Sequence, residues 1–123
     1  GMTICYDLRF PNLYQDLAKN GAEIITVPSA FSNVTGPHHR HTLLKARAIE
    51  TGSFIIAPAQ SGKHQCGRTS FGHSLIISPW GKILCDAKKK KGLIYTRINL
   101  QEVTLARQAI PNIFSKKKYS TNI

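Results

Sequence analysis

Acidic side chains are in short supply here: six Asp and Glu stand against seventeen Lys and Arg among 123 residues, a net charge of +11. Much of the excess is local, in Lys88-Lys89-Lys90-Lys91 and Lys116-Lys117-Lys118. Basic clusters can hold nucleic acid or an acidic surface. These runs lack interleaved aromatics and a glycine-rich scaffold, so they read as a solvated hairpin turn and a solvated tail. A long apolar run is also missing. Nothing approaches the ~20 residues that a membrane-spanning helix needs, and the first residues carry no basic-then-apolar leader pattern. Cysteine is sparse: Cys5, Cys66 and Cys85 are an odd, widely spaced set with no CxxC pair and no Cys/His ligand spacing. That argues against a disulfide framework and against a zinc cage. A cytoplasmic protein without cofactor or metal is the expectation.

What is there amounts to one domain, 41% hydrophobic, with no internal repeat and no dividing linker. A chain of this length buries about two-thirds of its unfolded surface. Its most chemical-looking stretch comes first. Met2, Thr3 and Ile4 run into Cys5, a short turn follows, and Pro11 opens a helical pattern marked by Leu13, Tyr14, Leu17 and Ala18. This is a strand-to-helix corner with a thiol at the bend, a place where a side chain and backbone N–H groups can be presented together. Gly21 caps the helix, and residues 23–27 form a continuous β-branched run that reads as a buried strand. Strand, helix and strand make a βαβ unit. A loop at 29–37 follows the strand, where ligands sit in open α/β sheets.

A second helix is expected at 39–50, with Leu43, Leu44, Ala46, Arg47 and Ile49 as its inward stripe and Gly52 as its stop. Residues 54–59 give another buried strand, and 60–72 read as a polar loop. Strands at 74–78 and 83–87 join through Pro79-Trp80-Gly81-Lys82, with glycine at the third turn position. A further strand is expected at 93–98. Asn99 and Glu102 suggest a capping box for a short helix to Arg107. From Ile110 the periodicity stops, and about 112–123 reads as a basic tail.

The run Cys5-Tyr6-Asp7-Leu8-Arg9-Phe10-Pro11 resembles the nucleophile segment of the nitrilase superfamily, the carbon–nitrogen hydrolases. The likeness continues through Gly21-Ala22-Glu23-Ile24 and Val27-Pro28-Ser29-Ala30-Phe31 to Thr35-Gly36. It resumes at Leu43-Leu44-Lys45-Ala46-Arg47-Ala48-Ile49-Glu50, then Gly67-Arg68, Phe71-Gly72-His73-Ser74 and Pro79-Trp80-Gly81. The subgroup it resembles most is that of amidases related to omega-amidase and deaminated-glutathione amidase. Two departures stand out: Asn12 where the family often has Glu, and Arg40 where a Trp is typical.

The resemblance implies an α/β fold, the C-terminal half of an α-β-β-α four-layer sandwich, with 1–123 a partial carbon–nitrogen hydrolase domain. It implies hydrolysis of a small-molecule amide by a Glu–Lys–Cys triad: attack by Cys5, loss of ammonia, a thioester, then water. Only Cys5 maps onto this sequence, so the Glu and Lys are expected from a complementing N-terminal half. The chain is expected to be inactive alone. The family pairs subunits through helical faces, so a homo-oligomer is the other expected partner. Attack on an amide needs a base and donors for the oxyanion, and the backbone N–H of Tyr6 is the natural donor. Asp7 and Arg9 are expected to brace the corner, with Arg47 and Glu50 as candidate partners. Phe31 and Thr35 could line the substrate pocket. His38, His39 and His41 have no carboxylate or cysteine nearby in sequence and are expected to be solvated, and His73 reads as a satisfied strand-end residue. The alternative function is a non-catalytic basic module binding nucleic acid or a protein partner.

Overall fold

A computed structural model describes residues 1–115; the lysines at 116–118 lie outside the described residues. The chain orders itself around a four-stranded sheet. Strand β1 (Ile24–Thr26) pairs in parallel with β2 (Phe54–Ala57), β2 pairs antiparallel with β5 (Leu75–Ile77), and β5 pairs antiparallel with β6 (Ile83–Asp86). Residues 1–3 extend the parallel edge: the N–H of Thr3 donates to the carbonyl of Thr26, and Thr26 returns the bond to Gly1. Helix α1 (Pro11–Lys19) crosses from that edge to β1, and α2 (Gly36–Thr51) crosses from β1 to β2. Two successive strand–helix–strand steps result, as the alternation of patterns predicts.

Why the sheet holds is visible in one row. Ile25 lies opposite Ile55, Ile55 opposite Ile77, and all three are fully buried. Each contributes roughly 1.5–3 kcal/mol by leaving water. From the helices, Leu44 and Ala48 join them, with Leu8 and Tyr14 from the first corner. The alternate residues Ile24, Thr26 and Ile56 stay half-exposed on the other face. The first two strands are therefore buried on one face and only partly covered on the other, where Phe54 alone of the alternate residues is fully buried.

Helix α2 begins three residues earlier than its sequence pattern predicts. Pro37 sits in the first turn, where a missing N–H costs nothing, so Gly36-Pro37 opens the helix instead of prolonging the loop. Gly52 ends it at φ 57°, the left-handed cap that glycine adopts freely. The inward stripe also differs: Ile49 is exposed, while Arg40, Leu44, Arg47 and Thr51 face inward at helical spacing.

Four further expectations are corrected. The polar stretch 60–72 contains a small hairpin of β3 (Ser61–Lys63) and β4 (Thr69–Phe71), too short and glycine-rich to show alternation. Residues 93–98 form no strand. They have no ladder partner among the described residues, and Leu93 and Tyr95 stand in solvent despite their β propensity. Helix α3 (Gln101–Ala109) starts beyond Asn99, whose side-chain oxygen accepts from the Gln101 N–H while its carbonyl takes Glu102. The start of the expected tail is anchored: Ile113 is buried in a 3₁₀ turn, and Asn112 donates to the Glu50 carbonyl. The turn at 79–82 is as expected, with Gly81 at φ 75°. No helix among the described residues is long and apolar enough to cross a membrane.

Candidate active site

Cys5 occupies the junction between the edge segment and a 3₁₀ turn, Cys5–Arg9, that feeds α1. Its φ of 45° is left-handed, a conformation that costs a side-chain-bearing residue about 1–2 kcal/mol. Local bonds hold it there. The Cys5 N–H donates to Pro28, the Asp7 N–H to the Ile4 carbonyl, and the Asp7 carboxylate accepts the Ile4 N–H at 2.9 Å. The Tyr6 N–H makes no backbone bond among the described residues, and its ring is exposed. The corner thus offers a thiol beside an uncommitted donor.

The thiol opens on a cleft of about 550 Å³ walled by Ile4, Pro28, Ser29, Ala59, Gln60 and Ser74. These walls come from the C-terminal ends of β1 and β2 and from the approach to β5. Among its described lining residues, the cleft has no carboxylate, lysine or histidine. Phe31 and Thr35 do not line it. Phe31 points into the core between the guanidiniums of Arg9 and Arg40, 5.7 and 5.6 Å from its ring centre. The Thr35 hydroxyl turns back to Ser32 at 3.2 Å. Aromatic size drew Phe31 inward, which its position on a loop did not reveal.

The bracing pairs also differ from expectation. Arg47 pairs with Glu50 at 2.6 Å within α2 and reaches the corner through the Leu8 carbonyl, which accepts from Nε at 3.0 Å. Among the described residues, neither Asp7 nor Arg9 forms an ion pair with them. Arg9 instead lies over the Tyr6 ring and within 3.4 Å of His39 Nδ1. Tyr14, under Arg47, shares a 2.7 Å bond with the Thr3 hydroxyl; burial pushes its pKa up, partly offset by that bond.

Arg40 is the residue sequence reasoning missed. It is fully buried, donating from Nε to the His73 carbonyl, from one terminal nitrogen to the Ala57 carbonyl, and from the other to the Ser29 hydroxyl at the cleft wall. Burial lowers its pKa to about 10, partly offset by the nearby Cys5 and Asp86. Its place at the start of the series Arg40, Leu44, Arg47, Thr51 was the signal: those spacings put it on the inward face.

His41 is not the solvated group the sequence suggests, whereas His73 is a satisfied residue just before β5, as expected. Asp86, from β6, approaches His41 Nε2 at 3.6 Å and His73 Nδ1 at 3.0 Å. The expected solvation of His41 is therefore replaced by contact with a carboxylate 45 residues away in the chain. Burial raises the Asp86 pKa, but the Lys88 backbone N–H, its ammonium and the His73 ring outweigh that and hold it at about 2. His41 is pushed down, first by burial and then by His73.

A profile of the carbon–nitrogen hydrolase family matches residues 1–108. The deaminated glutathione amidase of Rattus norvegicus is 49% identical over 111 residues, covering 90% of this chain and 34% of that protein. Among solved structures, the NitFhit protein of C. elegans matches with a TM-score of 0.90 at 40% identity, over 96% of this chain and 28% of that one. Nit3 of Saccharomyces cerevisiae, a member of branch 10 of the nitrilase superfamily, matches with a TM-score of 0.85 at 36% identity, over 90% and 41%. The chain spans about a third of the length of the rat amidase. The matched segment includes the Cys5 corner, both crossover helices and the four-stranded sheet, and by it this chain belongs to the carbon–nitrogen hydrolase family, with the α/β fold of the nitrilase superfamily and similarity to its deaminated-glutathione-amidase subgroup.

Proposed function

We propose that this chain carries the nucleophile half of an amide-hydrolysing site, with Cys5 as nucleophile and the Tyr6 N–H as oxyanion donor. The observation that carries the reading is the left-handed Cys5 at the mouth of a cleft, beside an N–H with no backbone acceptor among the described residues. Cys5 Sγ attacks the carbonyl carbon of a small-molecule amide. The thiol proton passes through a base to the departing nitrogen, the C–N bond breaks, and the thioester left on Cys5 is hydrolysed by water. The base and a stabilising cation are the glutamate and lysine that the family resemblance implies. The described cleft walls hold neither, so a complementing segment supplies them.

Asp7 stabilises the corner by accepting the Ile4 N–H, and Arg47, fixed by Glu50, holds the Leu8 carbonyl. Arg9 covers the Tyr6 ring. Deaminated glutathione, the substrate in the rat relative's name, is the first compound to try. The test mixes this chain with a polypeptide carrying the upstream half of the family domain and follows amine release. Activity is expected only in the mixture and is abolished by Cys5→Ala. Turnover that survives Cys5→Ala sinks the reading. Failure of hydrolysis together with strongly salt-dependent RNA binding favours the interaction module instead.

A further inference from the structure

Two of the three left-handed non-glycine residues among the described residues, His73 at φ 59° and Lys88 at φ 55°, flank one side-chain cluster outside the Cys5 cleft. The cluster joins His41 of α2, His73 just before β5, and Asp86 at the end of β6. Their donor atoms all lie within 4.8 Å of one another. A helix, the lead-in to one strand and the end of its neighbour thus converge, so the donors are positioned before any ligand arrives.

The rings are fixed as well. His73 stacks on Phe71 with centroids 4.3 Å apart and 23° between planes, and His41 meets His73 edge-on at 4.8 Å. Its backbone is held on both sides: the His73 N–H donates to Lys88 at 2.6 Å, and its carbonyl accepts Arg40 Nε at 3.0 Å. A left-handed histidine pinned at N–H and carbonyl has its side-chain direction imposed by the surroundings, the kind of strain that accompanies a placed group.

We propose that His41, His73 and Asp86 form a binding site for a late divalent transition ion, with Zn²⁺ as the ion of choice. The spacing fits. Ligand atoms about 2.1 Å from a tetrahedral zinc stand about 3.4 Å apart. The carboxylate lies 3.0–3.1 Å from His73 Nδ1 and 3.6 Å from His41 Nε2, on either side of that value. Two imidazoles and one carboxylate suit zinc, cobalt or nickel and disfavour calcium and magnesium, which prefer all-oxygen shells. The half-buried setting leaves a fourth position for water, with side-chain exposures of 29% at His41 and 15% at His73. Binding needs the His73 proton on Nε2, freeing Nδ1. It also needs the Lys88 ammonium, now 3.0 Å from Asp86 and largely in solvent, to swing away. That requirement gives the site a signature: lysine and ion compete for one carboxylate.

Co²⁺ titration of the 123-residue chain tests this, because cobalt in a tetrahedral nitrogen and oxygen shell absorbs visibly. One equivalent is expected to give that spectrum and to be displaced by Zn²⁺. His41→Gln, His73→Asn and Asp86→Asn are each expected to weaken affinity at least tenfold. Asn tolerates the left-handed backbone at 73; should that variant unfold by circular dichroism, His41→Gln carries the test. Lys88→Ala is expected to tighten binding, whereas Cys5→Ser and Cys66→Ser leave it unchanged. No spectrum with excess cobalt overturns the proposal. So does binding that survives the three ligand substitutions or is lost with Cys66→Ser.

Discussion

At the scale of single residues, two side chains sit where chemistry and stability oppose each other. Cys5 keeps a left-handed backbone that a glycine would adopt without cost. Comparing Cys5→Gly with Cys5→Ala removes the thiol in both and isolates the backbone strain. The glycine variant is expected to be the more stable by about 1 kcal/mol in denaturant unfolding, because the gain at this φ outweighs the added freedom of the unfolded chain. Arg40 makes the opposite case. Its guanidinium satisfies two carbonyls and a hydroxyl that would otherwise lack that donor. Arg40→Met removes the buried charge but leaves those acceptors orphaned, and a loss of roughly 2–4 kcal/mol is expected. A neutral result in urea unfolding would mean that water replaces the guanidinium.

Elements in this fold meet through close approaches that sequence patterns do not display. Gly36, at the start of α2, faces Phe71 of β4 so tightly that a Cβ there would stand 2.5 Å from the ring. Gly36→Ala is expected to cost about 1–3 kcal/mol by overpacking, read as a lowered Tm with the hairpin displaced. The sequence made the sheet legible because a β-branched run at 23–27 and an apolar run at 54–59 alternate with helical patterns, and Pro11, Gly21 and Gly52 mark helix ends. It concealed the β3–β4 hairpin because three-residue strands with glycine carry no period. It misled at 93–98, where β propensity had no partner strand among the described residues to pair with. At the site, the motif around Cys5 was readable as a corner. Arg40 and Asp86 were hidden because a charged residue's burial depends on partners that only the tertiary fold brings near.

For the whole molecule, the sheet is packed by helices on one face and half-covered on the other. Ile24 and Ile56 are half-exposed there, and Ile4 and Leu93 stand at 65% and 94% exposure near that side. Apolar surface of this kind promotes association, and the net charge of +11 opposes it by repulsion. Self-association is therefore expected to strengthen as salt screens the charge. Light scattering at low and high ionic strength checks this; a monomer at both, with cooperative unfolding, would contradict it. The Arg107 side chain adds a constraint of another kind. It donates to the carbonyls of Thr51 and Ala22 and to the Ser53 hydroxyl, linking positions as far as 85 residues apart. Those acceptors belong to the entrances of β1 and β2, so segments made earlier wait for one made 54–85 residues later. Loop-closure entropy makes such contacts late in folding. During synthesis the parallel pair can dock, but its entrances are closed only after residue 107 has emerged from the ribosome.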